Sequence, residues 1–495
     1  MSNNKVNDLR SAIECIKSKA GQYAETDVPI DPYLEMFAVY KNVGARGTCE
    51  RPTKLGPAVM FNNIKGFDGA KVLMGLMGSR ERAAMYFDVA PDRLGFFVRE
   101  ALKNPIPPVV TEEEPLCQEV VHLAGDEGFD IRKILPVCTG TALDGGPFIT
   151  SGVCYASDPE TGVSDVTMHR LCLQSRDEIS FNIVNGRHIG YFYEKAEKLG
   201  QALPCTISIG VDPAIEIGCC VEEPTAPLGL DELCFAGALR GEAVKLSRCV
   251  SVNEKGIANA EYVIEGELLP GRYIAEDSAT NTGKAIPEFP GYMGAATRPE
   301  STALKAPVFK VKAITHRKNP IMRTLIGCSE EHVNLVGLTT EASIFNMVDR
   351  AMPGRLLNVY NPPAGGGKLC SILQFKKSHP SDEGRQRQAA LLAFSAFSEL
   401  KHVTIVDEDV DIFDPYDVMW AMTTRYQGDV DTIFLPGIRC HGVDPSASPD
   451  YSPSIRLKGN SCKTVFDCTV PYSMKESFTR AKWLEVDERK WFPGI

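Results

Sequence analysis

Apolar residues recur along this chain with changing periods, and each period marks off a stretch of it. At the start, Leu9, Ile13 and Ile16 stand at helical spacing within residues 6–20, which predicts an amphipathic helix. From about 117 to 315 the texture becomes that of strands. Runs such as FITSGVCYAS (148–157), PCTISIGV (204–211) and AEYVIEGELL (260–269) alternate or stay apolar, and the turn formers DGG, DPETG and LPGR separate them. Beyond about 330, helix and strand alternate. TEASIFNMVDRAM (340–352) carries a helical stripe, with Thr340 read as its N-cap and Pro353-Gly354 as its stop. QRQAALLAFSAFSELKHVTIVDEDVDIFD (386–414) reads as a long helix, a buried parallel strand and an acidic turn. A last amphipathic stretch, SMKESFTRAKWLE (473–485), reads as a docking or dimerisation helix.

A chain of 495 residues is too long for one core, so two or three domains are expected. The proline-rich, acidic LKNPIPPVVTEEEP (102–115) is the best linker candidate. The expected division is therefore 1–115, an N-terminal α/β segment; 116–320, a β-rich domain; 321–470, a C-terminal α/β domain; and 471–495, a C-terminal helix and tail. No internal repeat is visible.

Composition removes several function classes. A net charge of -11 argues against nucleic-acid binding. The 16 cysteines are spread along the chain with no CxxC pair, only the adjacent Cys219-Cys220, so neither a zinc site nor a disulfide scaffold is indicated. That usage suits free thiols in a reducing compartment. The first residues lack an apolar signal core, and no apolar run approaches the ~18 residues of a membrane span. A soluble, cytoplasmic protein is expected.

Few segments carry chemistry. PPAGGGKL (362–369) has Pro362 and Leu369 where a phosphate-binding loop needs Gly and Ser or Thr, so it reads as a glycine-rich turn. DEDVDIFD (407–414) lacks the central Gly and terminal Glu of an EF-hand and reads as a solvated loop. SDVTMHRLCLQ (164–174) is more telling. As a strand it sends Asp165, Thr167 and His169 to one face and Val166, Met168 and Arg170 to the other, and Arg170 then needs an acid or an anionic ligand. Asp165, His188 in GRHIG and Glu232 in PLGLDELCFAGAL supply two carboxylates and an imidazole, a donor set suited to Mn²⁺ or Mg²⁺. Taken alone, they read at least as readily as scattered structural polar residues. In NTGKAIPEFPGYMG (281–294), Glu288 stands between Pro287 and Pro290 with glycines at 283, 291 and 294, so one carboxylate is held on a stiff, non-helical segment.

DEGFDIRKILP, DGGPFITSG, DPETGVSDVTMHRL, GRHIG, GVDPAIEIG, PEFPGY and LKHVTIVDEDVDIFD together resemble the UbiD-type decarboxylases, in that family's order and over about residues 6–490. ETDVPIDP, RPTKLGPAVMFNN, NTGKAIPEFPGY, GGGKL and SCKTVFDCTVP resemble its hydroxyarylic acid branch, which acts on protocatechuate, gallate or 4-hydroxybenzoate. The resemblance implies a split β-barrel flavin-binding domain followed by a C-terminal α/β domain, prenylated FMN as cofactor, and Mn²⁺ (or Mg²⁺) held by Asp165, His188 and Glu232. Asp165 stands where Asn is commoner in the family. K⁺ is implied nearby. The strand residues Asp165, Thr167, Met168, His169 and Arg170, together with Arg187, His188, Glu232 and Lys401, are the implied cofactor contacts, with Lys401 at the phosphate.

The same resemblance makes Arg170 and Glu288 the catalytic pair. Many members carry a second Glu five residues before the first, and here that position is Gly283. The absence favours a phenolic acid, which would bond once to the cofactor, pass through a quinoid intermediate, lose CO₂ and take its proton from Glu288. His332 in CSEEHVNL and His441 in PGIRCHGVDP fall where the resemblance puts the pocket for the phenol hydroxyls. The implied reaction is reversible non-oxidative decarboxylation of a small para-hydroxylated benzoic acid. Net carboxylation of a phenol, decarboxylation of another aromatic, heteroaromatic or acrylic acid, and a flavin-binding scaffold without turnover are the alternatives. Implied partners are a second copy, as dimer or hexamer, a flavin prenyltransferase that makes the cofactor, and in some relatives small companion subunits.

Overall fold

The apolar alternation of the middle of the chain closes into a barrel. In the computed structural model, which describes residues 5–183, 187–293 and 305–492, six antiparallel strands form a ring. They run in the order Tyr262–Ala275, Leu203–Ile209, Phe148–Ser157, Ser164–Leu173, Glu178–Phe181 and Lys305–His316, and the last pairs with the first. Closure leaves the ring without an unpaired edge. Gly186 and Gly294 of the motifs above lie outside the described residues.

Two sheets flank the barrel. The N-terminal one holds Tyr23–Thr26, Ala58–Phe61 and Lys71–Met74, and it takes its fourth strand, Ile321–Arg323, from the chain that has just left the barrel. Arg323 on that strand is fully buried and bridges Glu216 at 3.1 Å and Glu331 at 2.5 Å, and Glu331 also accepts the amides of Gly75 and Met77, so the N-terminal sheet and the barrel part of the chain share one charged core. The C-terminal sheet has three parallel inner strands, Cys370–Phe375, His402–Val406 and Asn460–Cys468, edged by the antiparallel Leu356–Tyr360 and Thr432–Arg439.

Several sequence expectations change. The helix expected to start at Thr340 runs from Glu330 to Ala351 with Ser329 as N-cap, and Thr340 returns its hydroxyl to Val336 O at 2.8 Å. Its first half is buried all round and shows no polar stripe, so periodicity does not reveal it. The expected C-terminal helix over 473–485 is absent: a 3₁₀ stretch, Tyr472–Phe478, gives way to extended chain with Trp483 and Leu484 exposed at 89% and 87%. Among the described residues nothing covers that apolar stripe, and a short helix without packing is marginal. The linker contributes a short strand, Val109–Val110, against Lys245–Arg248. The acidic loop is structural, since Asp407 and Asp409 grip Arg425 and Asp414 caps the helix Pro415–Thr424. All sixteen cysteines are free. Among the described residues no helix is long and apolar enough to cross a membrane.

Candidate active site

Strand Ser164–Leu173 sorts the site by its two-residue period. On one face Asp165 accepts the amide of Ile189 at 3.1 Å, at the start of helix His188–Lys198, and lies 3.2 Å from Nδ1 of His188. Glu232 approaches the same Nδ1 at 3.9 Å and accepts the amide of Val166 at 3.0 Å. Asp165, His188 and Glu232 thereby bring one ligand atom each to within 4.8 Å of one another. Burial, and then the charge of Asp165, push the Glu232 carboxyl well above its ordinary range. Its hydrogen bond to Asp165 raises the His188 imidazole. Two buried carboxylates that repel each other, with an imidazole beside them, suit a divalent cation, which would relieve that repulsion.

Thr167 and His169 follow on that face. His169 is buried, its Nε2 has no hydrogen-bond partner among the described residues, and burial followed by the charge of Arg187 lowers its pKa to about 4. A buried ring nitrogen left unpaired on the same strand face fits a bound polar group there. The candidate cation site opens into a cleft of about 120 Å³ whose walls include Thr167, Arg187, Glu222, Glu399 and Arg439. Arg187 reaches Glu222 at 2.6 Å, and Lys368 joins Glu222 at 3.2 Å to Glu399 at 2.8 Å. Against its burial, Lys368 and then His441 and Arg187 hold Glu399 down at about 2.

Lys401 has its ammonium held by Asp444 at 2.7 Å and Ser446 at 2.6 Å. Lys368, from the glycine-rich turn, meets two acids of the cleft wall, Glu222 and Glu399. Sequence reading set that turn aside because it lacks a phosphate-loop pattern, and the turn's own work is packing. Gly366 (φ +62°) and Gly367 pass so close to Phe289 and Val333 that a Cβ would meet them at 2.6 and 2.9 Å.

On the other face Val166 and Met168 pack into an apolar cluster with Val153, Tyr155 and Val263, and Arg170 reaches past it to acids. Its Nε and Nη2 grip Glu276 at 2.9 and 2.8 Å, and Nη1 bonds the Glu288 carboxylate. Glu276 is fully buried and also takes Asn182 Nδ2 at 3.3 Å. The Gly283 position therefore does not leave Arg170 with a single acid. Gly283 turns at φ +70° and donates its amide to Asp277, while Glu276, which sequence reading missed, supplies the second carboxylate from the end of a barrel strand.

The Pro287–Pro290 segment is stiff for reasons beyond proline. Gly291 (φ +79°) turns it by donating to Glu288 O at 2.7 Å, and a Cβ there would meet Thr48 O at 2.5 Å. Gly327 backs onto Pro287 O equally closely, at 2.7 Å. Burial would raise the Glu288 carboxyl, but the charges of Arg170, His441 and His332 outweigh it and hold the group below its ordinary range. Both histidines stand edge-on to Phe289, His332 at 6.0 Å and His441 at 4.8 Å between centroids. The structure thus brings together Arg170, Glu288, His332 and His441, and separately Asp165, His188 and Glu232.

Family models of the 3-octaprenyl-4-hydroxybenzoate carboxy-lyase N-terminal, Rift-related and C-terminal domains match residues 16–102, 109–330 and 333–468. The gallate decarboxylase of Lactiplantibacillus plantarum is 52% identical over 97% of both chains. A 3,4-dihydroxybenzoic acid decarboxylase from Enterobacter cloacae, solved without ligand, is 55% identical and superposes with a TM-score of 0.93 over 99% of both chains. The UbiD-class enzyme HmfF of Pelotomaculum thermopropionicum, solved with FMN, is 31% identical with a TM-score of 0.84 over 99% of this chain and 100% of that one. Its evolved dimeric form, solved with prenylated FMN, is 30% identical with a TM-score of 0.80 over 96% and 97%.

Proposed function

Because the chain belongs to the UbiD family of carboxy-lyases, we propose that it decarboxylates para-hydroxylated benzoic acids, 3,4-dihydroxybenzoate, gallate or 4-hydroxybenzoate, to the phenol and CO₂. The observation that carries this reading is Arg170 held between Glu276 and Glu288, with Glu288 facing His332 and His441. That arrangement offers a carboxylate-binding fork, a proton carrier and two hydroxyl partners in one place.

Glu276 locks the Nε–Nη2 edge of Arg170, so the guanidinium cannot turn away. The Nη1 edge is left for the substrate carboxylate, which would take the place of the Glu288 oxygen now bonded there. Freed from its closest cation, the Glu288 carboxyl rises toward the range where it can carry a proton. It then delivers that proton to the ring carbon that has lost CO₂. Pro287, Pro290 and the close glycines hold it in place for that single transfer.

Prenylated FMN is the cofactor of this reading and supplies an electrophilic centre for the substrate ring. Asp165, His188 and Glu232 would hold Mn²⁺ or Mg²⁺ at its phosphate, with K⁺ nearby; Thr167 and Arg187 on the cleft wall and His169 on the same strand face would line the rest of its seat, while Met168 packs into the apolar cluster on the other face. A second copy of the chain and a flavin prenyltransferase are the partners this chemistry calls for. A catalyst lowers both barriers equally, so under high CO₂ the same site carboxylates phenols.

The test is a substrate panel on protein reconstituted anaerobically with prenylated FMN, Mn²⁺ and K⁺. Release of CO₂ from one or more of the three hydroxybenzoates is expected. Turnover of cinnamate or a heteroaromatic acid, with none of those three, overturns the assignment.

A further inference from the structure

Cys49 and Cys328 stand 279 positions apart in the chain, yet their sulfurs lie 3.4 Å from each other. Gly47 (φ +58°) lays its loop on the turn before helix Glu330–Ala351, so closely that a Cβ there would meet Cys328 O and Glu330 N at 2.5 Å. Thr48 then donates its amide to Cys328 O at 2.9 Å. Both thiols are free, with Cys49 6% and Cys328 8% exposed, and Glu50 and Arg51 beside them are exposed. The pair lies just under the surface. The hydrogen bond from the Cys328 thiol lowers Cys49 against its burial, helped by the charges of Lys41 and Arg51, and the same bond raises Cys328. Cys49 is therefore the sulfur that ionises first. The residues adjoining the two sulfurs clasp the segment that carries Glu288. The Thr48 hydroxyl bonds Phe289 O, and a Cβ at Gly291 would meet Thr48 O at 2.5 Å. Gly327 backs onto Pro287 O, and its own carbonyl accepts from His332 Nδ1 at 2.5 Å.

We propose that Cys49 and Cys328 form a reversible oxidation site, at which hydrogen peroxide joins the two sulfurs and the new bond displaces the Pro287–Gly291 segment. The Cys49 thiolate attacks one peroxide oxygen: the O–O bond breaks, an S–O bond forms, and the leaving hydroxide takes up the proton that Cys49 released. The Cys328 sulfur then attacks Cys49. The S–S bond forms, the S–O bond breaks, and the second hydroxide leaves as water with the Cys328 proton. The two sulfurs together give up two electrons, and one peroxide becomes two waters. In a chain whose other thiols are free, such a bond is transient and a reductant reverses it. Disulfide sulfurs stand about 2.05 Å apart, so the pair must close by about 1.4 Å from 3.4 Å. Gly47 and Gly291 leave no slack between the flanking loops, so the movement passes to Pro287–Gly291. A misplacement of about 1 Å at a reacting group can cost about a hundredfold in rate. The chemistry at sulfur stands apart from the substrate; the loss of turnover rests on the hydroxybenzoate reading.

The site is tested on reduced, cofactor-free protein, so that the oxidant never meets the flavin. After hydrogen peroxide treatment, remaining thiols are blocked with iodoacetamide and the peptides are mapped by mass spectrometry. A linked Cys49–Cys328 peptide that dithiothreitol cleaves is expected. Both cysteines recovered as blocked thiols, or oxidised without the link, overturn the proposal. The displacement is read from nitrogen NMR of ¹⁵N-histidine-labelled protein, with His332 assigned by His332→Gln. Its resonances should move on oxidation, return with dithiothreitol, and stay in place in peroxide-treated Cys49→Ser and Cys328→Ser. Peroxide is then removed, the protein is reconstituted anaerobically with prenylated FMN, and hydroxybenzoate turnover is measured. Oxidised wild type should be slower by about tenfold or more, and the two serine variants should keep the rate they have without peroxide. A linked peptide with unmoved His332 resonances, or with undiminished turnover, overturns the displacement. If the reduced protein turns over no hydroxybenzoate, the peptide map and the NMR still decide this site, and only the substrate reading falls.

Discussion

Arg170 presents its Nε–Nη2 edge to Glu276 at 2.9 and 2.8 Å, which leaves only Nη1 for Glu288. The two acids therefore have different tasks. Glu276 fixes the fork, and Glu288 occupies the end that a substrate carboxylate would claim. Glu276→Ala should lower stability by about 3 kcal/mol, because a buried guanidinium loses its main partner. Denaturant unfolding measures this, and a midpoint equal to wild type would contradict it.

Glu288→Gln removes the proton carrier and keeps the shape. Turnover should fall about a hundredfold to ten-thousandfold, with the unfolding midpoint close to wild type. Unchanged turnover would favour a scaffold role for the protein or a different acid.

The cation site predicts a linkage effect. Mn²⁺ at about 100 times its dissociation constant should stabilise cofactor-free protein by about 2.7 kcal/mol, seen as a rise in Tm. His188→Ala, which deletes the ligand shared by Asp165 and Glu232, should abolish that rise. A rise of equal size in the variant would place the ion elsewhere.

Glu399 carries a pH signature. Its carboxyl sits at about 2 in the folded protein against 4.5 as the reference, so the stability it contributes is present above the reference value and is lost as pH falls toward 2. Glu399→Gln should flatten the decline in stability between pH 7 and pH 3 by about 2 kcal/mol. Identical slopes in the two proteins would refute the pairing with Lys368.

Gly366 sits at φ +62° with no room for a Cβ against Phe289. Gly366→Ala should cost about 1–2 kcal/mol from the backbone alone and push Phe289 toward the histidines. A raised KM with kcat less affected would report the disturbed pocket. Wild-type Tm and KM together would show that the turn has slack.

The sequence by itself determined whatever depends on local period and local stereochemistry. Alternation placed Asp165 and His169 opposite Arg170 on one strand, and Pro287 and Pro290 marked Glu288 as a held acid. Ordered motifs identified the family, and with it the barrel, and singled out Asp165, His188 and Glu232, which the fold brings together. Those motifs placed the cofactor lysine at Lys401; the fold pairs Lys401 with Asp444 and Ser446, and Lys368 with Glu222 and Glu399. Tertiary structure alone decided which distant groups meet. Glu276 has no local mark, yet barrel closure sets it against Arg170, 106 positions away. The helix stripe of 330–351 was hidden because its first half is buried on every side, and the stripe of 473–485 misled because no surface among the described residues covers it. Periodicity records that an element has an apolar face; only the packed fold supplies, or withholds, the surface that face meets.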